Sequence, residues 1–189
     1  VREELPADKV YAVRIKNDDE LDAYVFSLLT DIFQDKNGTD LATASVDLHP
    51  HLPLILDNST VQTGSDVSTY GYPLTDSKLI QDGQIDFILN PRYLQGYVTR
   101  SFEYQHSEYG GVKSYELDMP TPGGLSGAPL IRIRTHQVVG VIYGSNDVGS
   151  IDQFASVNPK TGQKVPEVQR IVSFGLAHHT KTINNLTSA

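Results

Sequence analysis

The chain has no cysteine. That excludes disulfides, thiolate nucleophiles and cysteine-ligated zinc, and it leaves the compartment open, because such a chain folds in oxidising and reducing surroundings alike. No apolar run approaches the ~20 residues of a membrane-crossing helix, so no membrane span is expected. The opening residues Val1, Arg2, Glu3, Glu4 and Leu5 contain no apolar segment of the signal-peptide kind. A chain that starts on valine instead reads as processed or truncated. Positive charge is in deficit, with 15 Lys and Arg against 23 Asp and Glu for a net charge of -8. Nucleic acid and anionic membrane are therefore poor partners. The six histidines include no HExxH spacing, and nothing supports a metal site or another cofactor.

Strand signals dominate what is present. At 189 residues the chain suits one domain or two small halves sharing a cleft. Residues 9–16, 66–74, 85–89, 95–104, 112–118, 128–134, 136–144 and 168–177 form β-branched or aromatic runs separated by polar turns. This predicts an antiparallel all-β sandwich or a pair of barrels, with a short terminal helix over 176–186. Residues 20–36 are ambiguous. Leu21, Val25, Leu28, Leu29 and Phe33 follow a roughly helical period, yet AYVFSLL within the same stretch suits a strand. The polar, Gly- and Pro-dotted residues 144–167 read as a long surface loop.

One stretch concentrates backbone freedom around a hydroxyl: PTPGGLSGAP, residues 120–129. A serine becomes a nucleophile only when a base takes its proton and donors hold the oxyanion that forms. A glycine two places before Ser126 lets the backbone turn N–H groups inward, so Gly124 and Ser126 are candidate oxyanion donors. The plain alternative is a glycine-rich turn leading into a strand. A nucleophile elbow would recruit Asp147 or Asp152 and then His178 or His179, but it requires a helix after the serine. Pro129 and the alternating Leu130, Ile131, Arg132 and Ile133 make a strand there instead.

PGGLSGAPL resembles the nucleophile motif of the trypsin-like serine proteases, G-x-S-G-x-P, whose serine leads into a strand. Other landmarks follow in the same order. Asp40-Leu41-Ala42 is similar to the motif carrying the triad acid, and Gly71-Tyr72-Pro73 to a strand end of the cysteine-free bacterial-type branch. Gly96-Tyr97-Val98 resembles a strand start, Asp118 an acidic position of that branch, and residues 139–144 the strand lining the substrate cleft. The resemblance covers roughly residues 9–177. It implies a double antiparallel β-barrel with the N-terminal barrel incomplete. Residues 1–65 would form the remainder of that barrel with Asp40, and residues 66–189 a C-terminal barrel with Ser126 and the terminal helix. It also turns residues 20–36 toward strand.

The resemblance further implies a serine endopeptidase acting on peptide or protein substrates, with Ser126 and Asp40 catalytic. The substrate side-chain pocket would involve Pro120, Thr121, Tyr143 and Gly144, with Pro120 at the pocket base. A neutral residue there implies a preference for uncharged side chains. Asp118 reads as structural. Leu125, where self-activating members carry an acid, implies that activation does not use a freed N-terminus. One departure matters: the triad histidine should precede Asp40, and no histidine occurs before His49. His49 and His51 read as exposed loop residues, and His106, His136, His178 and His179 as turn or terminal ones. The expectation is that the histidine lies upstream of Val1, on an N-terminal segment or another chain. The alternative is a catalytically inactive, peptide-binding or interaction module.

Overall fold

A computed structural model describes residues 9–18, 21–34, 39–47, 53–73, 76–79, 85–88, 90–106, 110–150, 160–162 and 170–187. His49, His51 and Asp152 lie outside them. The described elements are strands β1 (Tyr11–Asp18), β2 (Leu21–Gln34), β3 (Ala42–Val46), β4 (Asp66–Gly71), β5 (Asp76–Leu79), β6 (Ile85–Ile88), β7 (Arg92–His106), β8 (Gly110–Leu117), β9 (Pro129–Arg132), β10 (Gln137–Ser150) and β11 (Arg170–His179), then helix α1 (Thr180–Thr187).

Six strands close into an antiparallel barrel in the order β10-β11-β8-β7-β4-β9. Its interior is filled by apolar side chains from every wall, among them Val67, Val98, Leu117, Leu130, Val139 and Ala177. Ahead of the barrel, β1, β2 and β3 form a three-stranded antiparallel sheet, and between β4 and β7 the strands β5 and β6 pair as a separate hairpin. The all-β expectation and the terminal helix therefore hold.

Three local readings meet the structure here. First, residues 21–34 are one long strand, as the resemblance implies and against the helical period. The register with β3 shifts between Thr30 and Phe33, and Asp31 takes φ 46° there. Second, residues 144–150, expected in a loop, continue β10 and pair with the start of β11. Third, His178 and His179, expected in a turn or the terminal segment, belong to a strand. They end β11 and are almost fully buried, at 2% and 0% exposure.

The link between the first sheet and the barrel is tied down. The Val138 N–H donates to the Ile55 carbonyl, and the Asp57 N–H to the Val138 carbonyl, both at 2.8 Å. The Val61 N–H donates to the Tyr115 hydroxyl at 3.1 Å, and the Thr180 hydroxyl to the Asp57 carbonyl at 2.7 Å. From there α1 runs between β3 and the barrel strands β10 and β11. The helix thus bridges the part of the chain that carries Asp40 and the part that carries Ser126.

Candidate active site

The segment from Pro120 to Ala128 is a double turn. Leu125 N–H donates to the Pro122 carbonyl at 3.2 Å, and Ala128 N–H to the Leu125 carbonyl at 2.9 Å. Leu125 is fully buried beneath this turn, whereas Ser126 stands exposed at its apex. Both Gly124 (φ 93°) and Gly127 (φ 89°) adopt backbone angles that side chains disfavour. This accounts for the glycines around the serine. Gly71, in the Gly-Tyr-Pro motif, abuts the same turn, where an added Cβ would lie 2.8 Å from a Leu125 methyl.

The turn is anchored to β10 by Gly127 N–H donating to the Ile142 carbonyl and Ile142 N–H to the Ala128 carbonyl, at 2.8 and 2.9 Å. Four amides in this run, those of Thr121, Gly123, Gly124 and Ser126, stay out of that ladder among the described residues. Among the described residues, neither Gly124 N–H nor Ser126 N–H donates to a backbone carbonyl. They are the pair named from the sequence as oxyanion donors. The Ser126 hydroxyl makes a long contact, 3.4 Å, to the Tyr143 carbonyl.

Asp40 is exposed and follows the buried Thr39, immediately before β3. The fold places it with Ser126 in the wall of one cavity of about 240 Å³. Tyr143, Ile142 and Gly127 also line it, as do Ile183 and Leu186 from α1. The helix contribution had no signal in the sequence, because nothing local says where a terminal helix docks. No histidine lines this cavity among the described residues.

Tyr143 owes its position to a bulge. Ile142 pairs with Ala177 and Gly144 with Leu176, leaving Tyr143 as the extra residue. Its ring stacks on the His178 imidazole, with centroids 3.9 Å apart and planes at 13°. His178 Nδ1 lies 3.1 Å from the Ser114 hydroxyl. The imidazole is therefore committed to the interior.

The expected pocket residues divide between two places. Pro120 and Thr121 line a second cavity, of about 550 Å³, with Leu94, Gly123, Asp147 and Ser173 among its walls. Tyr143 belongs to the cavity shared by Asp40 and Ser126. The Thr121 hydroxyl donates to the Gly144 carbonyl at 2.5 Å, so this threonine ties the nucleophile-bearing segment to β10. Asp147, not assigned to this wall from sequence, accepts a 2.6 Å hydrogen bond from the Ser173 hydroxyl. Asp118 accepts from the Tyr97 N–H at 2.5 Å, a structural bond between the β8 end and β7.

A model of the trypsin-like peptidase domain matches residues 1–141. No curated protein matches the chain. Among solved structures, it is similar to Rv3671c from M. tuberculosis H37Rv in the inactive form of a serine-to-alanine mutant, with 19% identity over 87% of this chain and 65% of that one and a TM-score of 0.57. The active form of the Rv3671c protease gives 19% identity, 87% and 59% coverage and a TM-score of 0.57. At this identity the likeness establishes the fold. The chain spans 65% and 59% of the length of these two neighbours. With the family motif over most of its length and the closed barrel behind Ser126, the chain belongs to the trypsin-like peptidase family.

Proposed function

We propose that the longer protein is a serine endopeptidase in which Ser126 forms the acyl-enzyme. The observation that carries this reading is the shared cavity: an acid from the β3 side and a serine from the barrel, far apart in sequence, line the same space. In this reading residues 1–65 supply Asp40, and residues 66–189 supply Ser126 and the substrate pocket.

The base is an imidazole from a segment preceding Val1 or from another chain, seated between Asp40 and Ser126. It takes the Ser126 proton as the hydroxyl attacks the scissile carbonyl, then returns it to the leaving amine. Asp40 fixes the tautomer of that imidazole and stabilises its charge. Gly124 N–H and Ser126 N–H receive the oxyanion, and one such donor is worth roughly 10²–10³ in turnover.

A fluorophosphonate probe tests the reading. The longer protein should label at Ser126, Ser126→Ala should abolish labelling, and residues 1–189 alone should label poorly. Strong labelling of residues 1–189 that vanishes on joint replacement of His49 and His51 by alanine would place the base in that loop and overturn the upstream histidine.

A further inference from the structure

A third cavity, of about 510 Å³, is lined by residues from the linker before β4 and from the turn joining β9 to β10. None of its lining residues lines either cavity at the catalytic end. Its chemistry differs from that of the whole chain. Against a net charge of -8, this cavity presents two guanidinium groups, Arg132 and Arg134.

Arg132 is held in place. One of its nitrogens donates to Asp57 at 2.8 Å and another to the Ser59 hydroxyl at 3.1 Å. Ser59 in turn donates to Asp57 at 2.8 Å, so its hydroxyl hydrogen is used inside this network. Arg134 is different. It is exposed, and among the described residues it has no carboxylate or hydrogen-bond partner. Its five N–H donors are unclaimed in the wall of a cavity where Asp57 already offsets the charge of Arg132.

The hydroxyls in the wall reinforce the pattern. Lys113 donates to the Thr60 oxygen at 2.6 Å, which leaves the Thr60 hydroxyl hydrogen for another acceptor. Ser65, just before β4, and Thr135, in the β9–β10 turn, also line the cavity. Donors drawn from the linker, the β4 entry and the β9–β10 turn line one space, which suits an acceptor with oxygens in several directions, as in a tetrahedral oxyanion. One carboxylate, Asp66, also lines the cavity. It repels an anion placed beside it but accepts hydrogen bonds from hydroxyl groups. The volume far exceeds that of a bare phosphate.

We propose that this cavity binds a small soluble phosphate monoester carrying hydroxyl groups, a ligand of the sugar-phosphate class. The phosphate sits at Arg134 with Thr60 and Ser65, and the hydroxyl-bearing part lies toward Asp66 and Gln62. The site is separate from the peptidase reading and stands whether or not that reading does.

Calorimetric titration of the chain with glucose 6-phosphate, inorganic phosphate and glucose tests it. The sugar phosphate should bind more tightly than about 1 mM, inorganic phosphate more weakly, and glucose not measurably. Arg134→Ala should weaken the sugar phosphate about tenfold or more, and Arg134→Lys by less, because lysine keeps the charge but loses the fork. Asp66→Asn should reduce the advantage of sugar phosphate over inorganic phosphate. Arg134 has no internal partner to lose, so its variants should fold. Equal binding by wild type and Arg134→Ala, or equal competition by chloride at matched ionic strength, would overturn the proposal. So would binding to phosphatidylinositol vesicles with none to the soluble ligand.

Discussion

The imidazole of His178 lies flat against the ring of Tyr143, 3.9 Å between centroids, on the far side of the residue whose carbonyl faces Ser126. This stack holds the bulged residue of β10 in the wall of the candidate active site. A stack of this kind contributes about 0.5–1.5 kcal/mol beyond its buried area.

His178→Ala should therefore destabilise the chain by about 2–4 kcal/mol, read as a shift of the denaturant midpoint. His178→Phe preserves the stack and should leave fluorophosphonate labelling of Ser126 in the longer protein nearly intact. Loss of labelling in a folded His178→Phe protein would show that the imidazole does more than brace Tyr143.

Asp57 accepts from Ser59 N–H, from the Ser59 hydroxyl and from Arg132, each at 2.8 Å. Those bonds, the Ser59 backbone one foremost, hold its carboxyl below the usual carboxylate value. Asp57→Ala strands a guanidinium that is only 20% exposed and should cost about 2–3 kcal/mol in chemical denaturation. An effect below about 0.5 kcal/mol would mean that Arg132 finds water easily.

His179 predicts a pH dependence. Its Nδ1 accepts the Lys181 N–H at 3.0 Å at the start of α1, and burial, with Lys113 and Lys181 nearby, lowers its pKa from the ordinary 6.5. The Ser59 backbone, and then Asp57, pull in the opposite direction more weakly. A depressed histidine pKa means that the unfolded chain binds the proton more readily. The stabilisation is fully present above 6.5 and is lost as the pH falls from there through the lower folded value. Protonation also turns Nδ1 from acceptor to donor, which removes the bond to Lys181. Urea midpoints measured from pH 8 to pH 5 should fall, and His179→Phe should flatten that fall.

Cleavage preference should favour small or medium uncharged side chains before the scissile bond. The cavity behind Pro120 offers Leu94, Pro122 and the Thr121 side chain, whose hydroxyl is already bonded to Gly144. Its one acid, Asp147, is engaged by Ser173, and Arg92 offsets its charge in the same wall. A peptide library should show faster turnover after Ala, Val or Leu than after Arg or Lys; the reverse order would assign Asp147 the selecting role.

The barrel was legible because strands with polar turns announce themselves, and the Gly-Leu-Ser-Gly turn because its glycines match backbone angles that only glycine takes easily. The motif marked Tyr143, which lines the cavity with Asp40 and Ser126, but not its bulge, since bulges arise from pairing between distant strands. His178 and His179 look polar in sequence. Their burial depends on a stack, a Ser114 contact and a helix start that no local pattern encodes. Residues 20–36 were ambiguous by pattern alone because Leu21, Val25, Leu28 and Leu29 suit a helical period while AYVFSLL suits a strand.

The seam that closes the barrel joins Val67 to Arg132, and the serine turn lies immediately before that seam. Strand pairs so distant in sequence form late, because a long loop must be closed before the pairing rewards it. The turn around Ser126 can take its final shape only once β9 is stitched to both β4 and β10. A nascent chain therefore carries Ser126 without its final backbone geometry until synthesis and barrel closure are complete.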